Sequence, residues 1–157
     1  VGADEQPGAE LAPDQAQTWE SMLAVLLWLP AALETRLKQQ GLSHPEFLIL
    51  WCLTQHRDRA HTMSSLAELS RLTPSHLSRI AARLEKQGWL VRGTDPADAR
   101  YTIASLTEAG TRKYAEASPG YHATLQEHLF GRLTAEQAQQ LGGITARIAR
   151  SLDPRAH

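Results

Sequence analysis

Between residues 19 and 37 the apolar positions Trp19, Met22, Leu23, Leu26, Leu29, Leu33 and Leu37 return every third or fourth residue. That spacing lays one stripe along a helix. Lys38 falls in its last turn and Gly41 ends it, while Pro30 predicts a kink near the middle. Residues 1–17 are rich in Gly, Pro, Ala and acids without a period, which predicts a disordered or loosely attached arm. Ser43-His44-Pro45-Glu46 has the form of a capping box with an early proline and opens a second helix. Phe47, Leu50 and Leu53 give that helix one apolar face, and Leu48, Trp51 and Cys52 nearly a second. A helix apolar on two sides is buried between layers.

Ser65 and Glu68 predict the cap of a short third helix with the stripe Leu66, Leu69 and Leu72. Thr73-Pro74 predicts the cap and first residue of a fourth, buried through Leu77, Ile80, Ala81 and Leu84 and stopped by Gly88. The period then changes. Leu90 to Gly93 and Tyr101 to Leu106 partly alternate around the turn residues Asp95-Pro96, which predicts an antiparallel hairpin. Thr107 and Glu108 begin a long fifth helix, which Ser118-Pro119-Gly120 should break or kink. Thr134 to Gln137 is a capping box for a last helix with the stripe Leu141, Ile144, Ile148 and Leu152. The fold class is therefore mainly α with one small β-hairpin.

Composition narrows the function classes. No apolar run approaches the roughly 18 residues that a membrane helix needs. The single cysteine, Cys52, allows no intrachain disulfide and no cysteine-based zinc site, which predicts a reducing, cytoplasmic location. The net charge of −1 says little, but its distribution says more. Residues 1–18 carry four acids and no Lys or Arg, whereas residues 71–100 carry six basic residues against three acids. A basic segment in a neutral chain is the footprint of a nucleic-acid face. No Gly-rich phosphate loop, nucleophile elbow or paired catalytic motif is present, so no enzyme and no cofactor are expected.

A short helix, a tight turn, a second helix and a hairpin follow one another in the order of a winged helix-turn-helix. Once Leu77, Ile80, Ala81 and Leu84 are spent on the core, the other face of the fourth helix carries Ser75, His76, Ser78, Arg79, Arg83 and Lys86. Hydroxyls and Arg near the start of such a helix suit base edges and phosphates in a major groove. The segments Leu66-Ala67-Glu68-Leu69, Thr73 to Arg79, Leu84 to Arg92, Asp95 to Arg100 and Leu106-Thr107-Glu108-Ala109-Gly110 together resemble the MarR family. The match in order and spacing spans about residues 64–110, and the six-helix layout extends it to about 18–152.

The resemblance implies a winged helix-turn-helix lobe over 42–106. It also implies a helical dimerisation layer formed by 18–41 and 107–153 of two subunits. It implies a repressor that binds a palindromic operator in double-stranded DNA as a homodimer and is released by a small aromatic or amphipathic effector. Ser75, His76, Ser78 and Arg79 would face the major groove, with Arg83 and Lys86 nearer the backbone. Arg100 would be the wing arginine, oriented by Asp98. Pro96, Ala97 and Ala99 stand where relatives often carry charge, which predicts a weak wing contact and a shallow salt slope. Trp28 and Trp51 are the effector-pocket candidates, with His44 and Phe47 behind them, although aromatics at helical spacing are commonly core. The seven histidines show no i, i+4 pair, so no metal site is expected. Cys52 among apolar neighbours reads as a buried small hydrophobe. A ligand-independent regulator, and a winged helix that binds protein rather than DNA, remain open alternatives.

Overall fold

The computed structural model describes residues 10–153. Six helices and three short strands follow in the order α1 (Pro13–Lys38), α2 (His44–Thr54), β1 (Ala60–Thr62), α3 (Met63–Ser70), α4 (Pro74–Lys86), β2 (Leu90–Thr94), β3 (Thr102–Leu106), α5 (Glu108–His128) and α6 (Ala135–Ser151). A single 3-10 turn, Phe130–Arg132, joins α5 to α6. Most of the arm expected over 1–17 lies outside the described residues, but α1 begins at Pro13, so 13–17 are helical.

The expected caps form at α2 and α6. Ser43 and Glu46 exchange bonds at α2, and Thr134 and Gln137 do so at α6. At α3 the expectation is corrected. The cap is Thr62, not Ser65, and Thr62 Oγ1 accepts from the Ser65 N–H at 3.2 Å. The reason is a strand that the hydrophobic pattern does not signal. β1 pairs antiparallel with β3, Ala60 opposite Ser105 and Thr62 opposite Ile103. This leaves Thr62 extended, so the helix can start at the next residue.

The hairpin is therefore part of a three-stranded sheet of order β1-β3-β2. Pro30 and Pro119 do not break their helices, which run through both. The residues four earlier, whose carbonyls lose the proline's donor, are Leu26 and Ala115, both exposed.

The core lies where α2 meets α3, α4 and α5. Leu37, Phe47, Ile49, Leu50, Leu53, Leu66, Leu77, Ile80, Leu84 and Leu90 are all essentially buried. α4 buries the four expected residues and no others. Its end is a Schellman arrangement, with Gly88 at φ +74°, Gly88 N–H donating to Glu85 O and Trp89 N–H to Leu84 O. That turn also sets the start of α5. Thr107 Oγ1 donates to Gly88 O at 2.7 Å and accepts from the Gly110 N–H at 2.9 Å. Gly110 sits against the Trp89 carbonyl, where a Cβ would have no room. The Leu-Thr-x-x-Gly run is thus the joint between the lobe and the long helix that leaves it.

Candidate nucleic-acid interface

Thr73 Oγ1 accepts from the His76 N–H, and Pro74 occupies the first helical position, so the start of α4 is fixed by its own sequence. With one face in the core, Ser75, Arg79 and Arg83 form an exposed row at successive turns. Ser78, Ala82 and Lys86 form the row beside it, also exposed. His76 lies at the edge and is half-buried. Arg79 and Lys86 have no ion-pair partner among the described residues. Arg83 does: its Nε lies 3.2 Å from Glu46 Oε1 at the start of α2.

The wing carries two further acid–arginine pairs. Glu85 on α4 accepts from the Arg92 backbone N–H at 3.0 Å and from its guanidinium at 2.8 Å. These bonds hold the Glu85 carboxyl below the usual range and tie β2 to α4. At the tip, Asp95 accepts from the Ala97 N–H and Asp98 from the Arg100 N–H, which shapes the turn. Asp98 also takes Arg100 Nε and Nη2, the latter at 2.6 Å, while Arg100 itself stays exposed. The Arg100 guanidinium, then its backbone N–H, lower the Asp98 carboxyl, and the pairing raises Arg100 in turn. The Asp98–Arg100 geometry is the one expected from sequence.

Of the four effector candidates, His44 and Phe47 meet on Tyr121. Phe47 is core, stacked at 4.3 Å and 5.4 Å between centroids on Tyr121 and Tyr114. His44 lies at the junction of α2 and α5, with its Nε2 3.1 Å from Tyr121 Oη, and burial lowers its pKa despite nearby Glu34. Trp28 and Trp51 are both exposed. A cleft of about 640 Å³ opens elsewhere, between the α3–α4 turn and the end of α6. Ala67, Leu72, Pro74, Ala149 and Leu152 line it, and the paired Arg71 and Asp153 stand at its edge. None of the four candidates lines this cleft.

Sequence reasoning passed over Tyr114 and assigned Glu46 only its capping role. The Glu46–Arg83 pair joins residues far apart in the chain, and no local pattern announces it. Cys52 is buried, which pushes its thiol up. Among the described residues no three His, Cys, Asp or Glu side chains are grouped to hold a metal ion, and no helix is long and apolar enough to cross a membrane.

Residues 42–102 match the model of the MarR family. The chain is 30% identical over 124 residues to the HTH-type transcriptional repressor MdtR of Bacillus subtilis (strain 168), an overlap of 79% of this chain and 77% of that one. The solved structure of Sco3205, a MarR family transcriptional regulator from Streptomyces coelicolor in complex with DNA, superposes with a TM-score of 0.89 at 32% identity. That match covers 96% of this chain and 94% of the other. CouR from Rhodococcus jostii RHA1, bound to p-coumaroyl-CoA, shares the fold at a TM-score of 0.75 and 21% identity, over 90% and 96% of the two chains.

Proposed function

The chain belongs to the MarR family of winged-helix regulators, and from that premise we propose that it is a transcriptional repressor that binds a palindromic operator as a homodimer in the cytoplasm. The observation that carries the DNA reading is the exposed face of α4, with Ser75, Ser78, Arg79, Arg83 and Lys86, followed directly by a wing arginine held by Asp98. Serine hydroxyls and Arg79 near the helix start read base edges, Arg83 and Lys86 contact backbone, and Arg100 reaches the minor groove. A single arginine at the wing tip, flanked by Ala99 and the uncharged Pro96-Ala97, leaves recognition mainly to α4.

Release by a small aromatic or amphipathic molecule is part of the same reading. The support is the position of the aromatic group His44, Phe47, Tyr114 and Tyr121, where α2 of the DNA-binding lobe packs on α5. A molecule bound there shifts DNA affinity only if it favours one arrangement of lobe and layer over another.

The test begins by selecting genomic fragments with the purified protein, then titrating the recovered operator by fluorescence anisotropy. Arg79→Ala should weaken operator binding by about 1–3 kcal/mol and relax base preference. Arg100→Ala should weaken binding more uniformly and reduce the salt slope by about one. Wild-type protein that selects no sequence, or both variants binding as wild type does, would defeat the reading. A winged helix that binds protein alone would give the first of these results.

A further inference from the structure

The Arg83–Glu46 pair differs from the two arginine pairs of the wing. Those join residues seven and two apart in the chain and shape the wing. This one joins the DNA-facing row of α4 to the first turn of α2. The two partners are also unequal: the Glu46 side chain is 15% exposed, the Arg83 side chain 61%.

Glu46 is pinned. Its Oε2 accepts from the Ser43 N–H at 2.8 Å while its own N–H donates to Ser43 Oγ, so the capping box fixes the carboxylate. The turn that carries it is pinned as well. The next backbone donor, the His44 N–H, is held at 2.6 Å by Glu34 Oε2 of α1, and the His44 ring meets Tyr121 of α5. Glu46 Oε1 then lies 3.2 Å from Arg83 Nε, an ion pair without an aligned hydrogen bond. Among the described residues no hydrogen bond engages the Arg83 guanidinium, so its donors stay available to another acceptor. An arginine held in this way loses less side-chain freedom on meeting a phosphate than one that samples all its rotamers.

We propose that Glu46 is a positioning residue for operator binding, holding the Arg83 guanidinium ready for a DNA phosphate at the end of the Ser75–Arg79–Arg83 row. The inference rests on the DNA-binding reading above. It assigns Glu46 a role opposite to its charge. A carboxylate near DNA repels phosphate, and its loss alone should strengthen electrostatic binding to any duplex. Positioning acts only where the protein sits in one register, so it favours the operator over random DNA.

The experiment is a double-mutant cycle of Glu46→Gln and Arg83→Ala, titrated on the selected operator and on a random duplex, with a thermal melt of each variant. Gln also serves at the third position of a capping box, so Glu46→Gln keeps the start of α2 while removing the ion pair. Glu46→Gln should weaken operator binding about three- to tenfold, leave random-duplex binding unchanged or tighter, and in the Arg83→Ala background leave operator binding unchanged or tighter. Equal or tighter operator binding by Glu46→Gln, or the same loss with and without Arg83, overturns the proposal. If Glu46→Gln melts far below wild type, Glu46→Asp decides instead. It keeps the charge on a shorter arm, and undiminished operator preference in it overturns the proposal. Wild-type protein that does not prefer operator to random duplex would refute the DNA-binding reading itself. A preference in wild type with no coupling in the cycle would refute only the role of Glu46.

Discussion

His44 and His61 sit where a positive charge is resisted. Burial lowers the pKa of His44, with nearby Glu34 opposing. At His61 burial is again the largest cause, the charge of His56 adds to it, and a hydrogen bond to the Cys52 backbone opposes it. The His56 and His61 rings lie 4.7 Å apart. In the unfolded chain each histidine titrates near its ordinary value of about 6.5. As pH falls through that value the unfolded state takes up protons that the folded state does not. Stability therefore falls with pH from about 6.5 downward, until the lower folded values are reached. The depressed carboxyls of Glu85 and Asp98 act further down, below about pH 4. Urea unfolding at pH 7, 6 and 5 should show stability dropping across the series. His44→Gln combined with His61→Gln should flatten that slope, and an unchanged slope would assign the acid sensitivity elsewhere.

Gly110 is where two elements meet with no space between them, and its φ is ordinary, so the requirement is steric. A Cβ at this position would run into the Trp89 carbonyl and the Leu106 side chain. The carbonyl belongs to the turn that ends α4, so relief would require α5 to move away from the lobe. Gly110→Ala should cost about 2–3 kcal/mol, read as a lowered melting temperature, and weaken operator binding at temperatures where the protein is still folded. A wild-type melt would show that the joint can yield. This position also shows what the sequence makes legible at the scale of elements. Thr73-Pro74, Gly88, Thr107 and Gly110 are local signals, each with a backbone group to satisfy or a φ to supply, and each appears where the pattern places it. β1 is different. Its three residues Ala60–Thr62 are all half-buried, with neither alternation nor length to mark them, and β3 alone makes them a strand. The cap of α3 moves from Ser65 to Thr62 for that reason. On the interface, Asp98 beside Arg100 is legible because the partners are two residues apart, whereas Glu46 and Arg83 meet only through the packing of α2 on α4.

At the scale of the molecule, the single chain leaves an apolar surface that its own fold does not use. α6 keeps the expected cap and stripe but buries no residue, and Ile144, Ile148 and Leu152 are exposed. On α1 only Leu33 and Leu37 are buried, whereas Trp19, Leu23, Val25, Leu26, Leu27 and Trp28 are exposed. So many large apolar side chains on two helices exceed what a monomer ordinarily leaves in water. Each is worth about 1.5–3 kcal/mol if fully buried, so a second subunit covering part of this surface is strongly favoured. Trp28, among the most exposed of these side chains, is part of the same surface. A dimer built here would carry two α4 helices, and an operator with half-sites about 34–36 Å apart would engage both. The double variant Ile144→Asp, Ile148→Asp places two charges on the α6 stripe and touches no residue of the lobe core. Light scattering should show it shifted to monomer, with a far-ultraviolet spectrum like that of wild type. Its affinity for the full operator should fall by about a hundredfold or more, because the two half-sites no longer bind as one. Its affinity for an isolated half-site should match that of wild type. A variant that remains dimeric would move the interface off α6, and a monomer with undiminished operator affinity would rule out spacing between two recognition helices as the source of specificity.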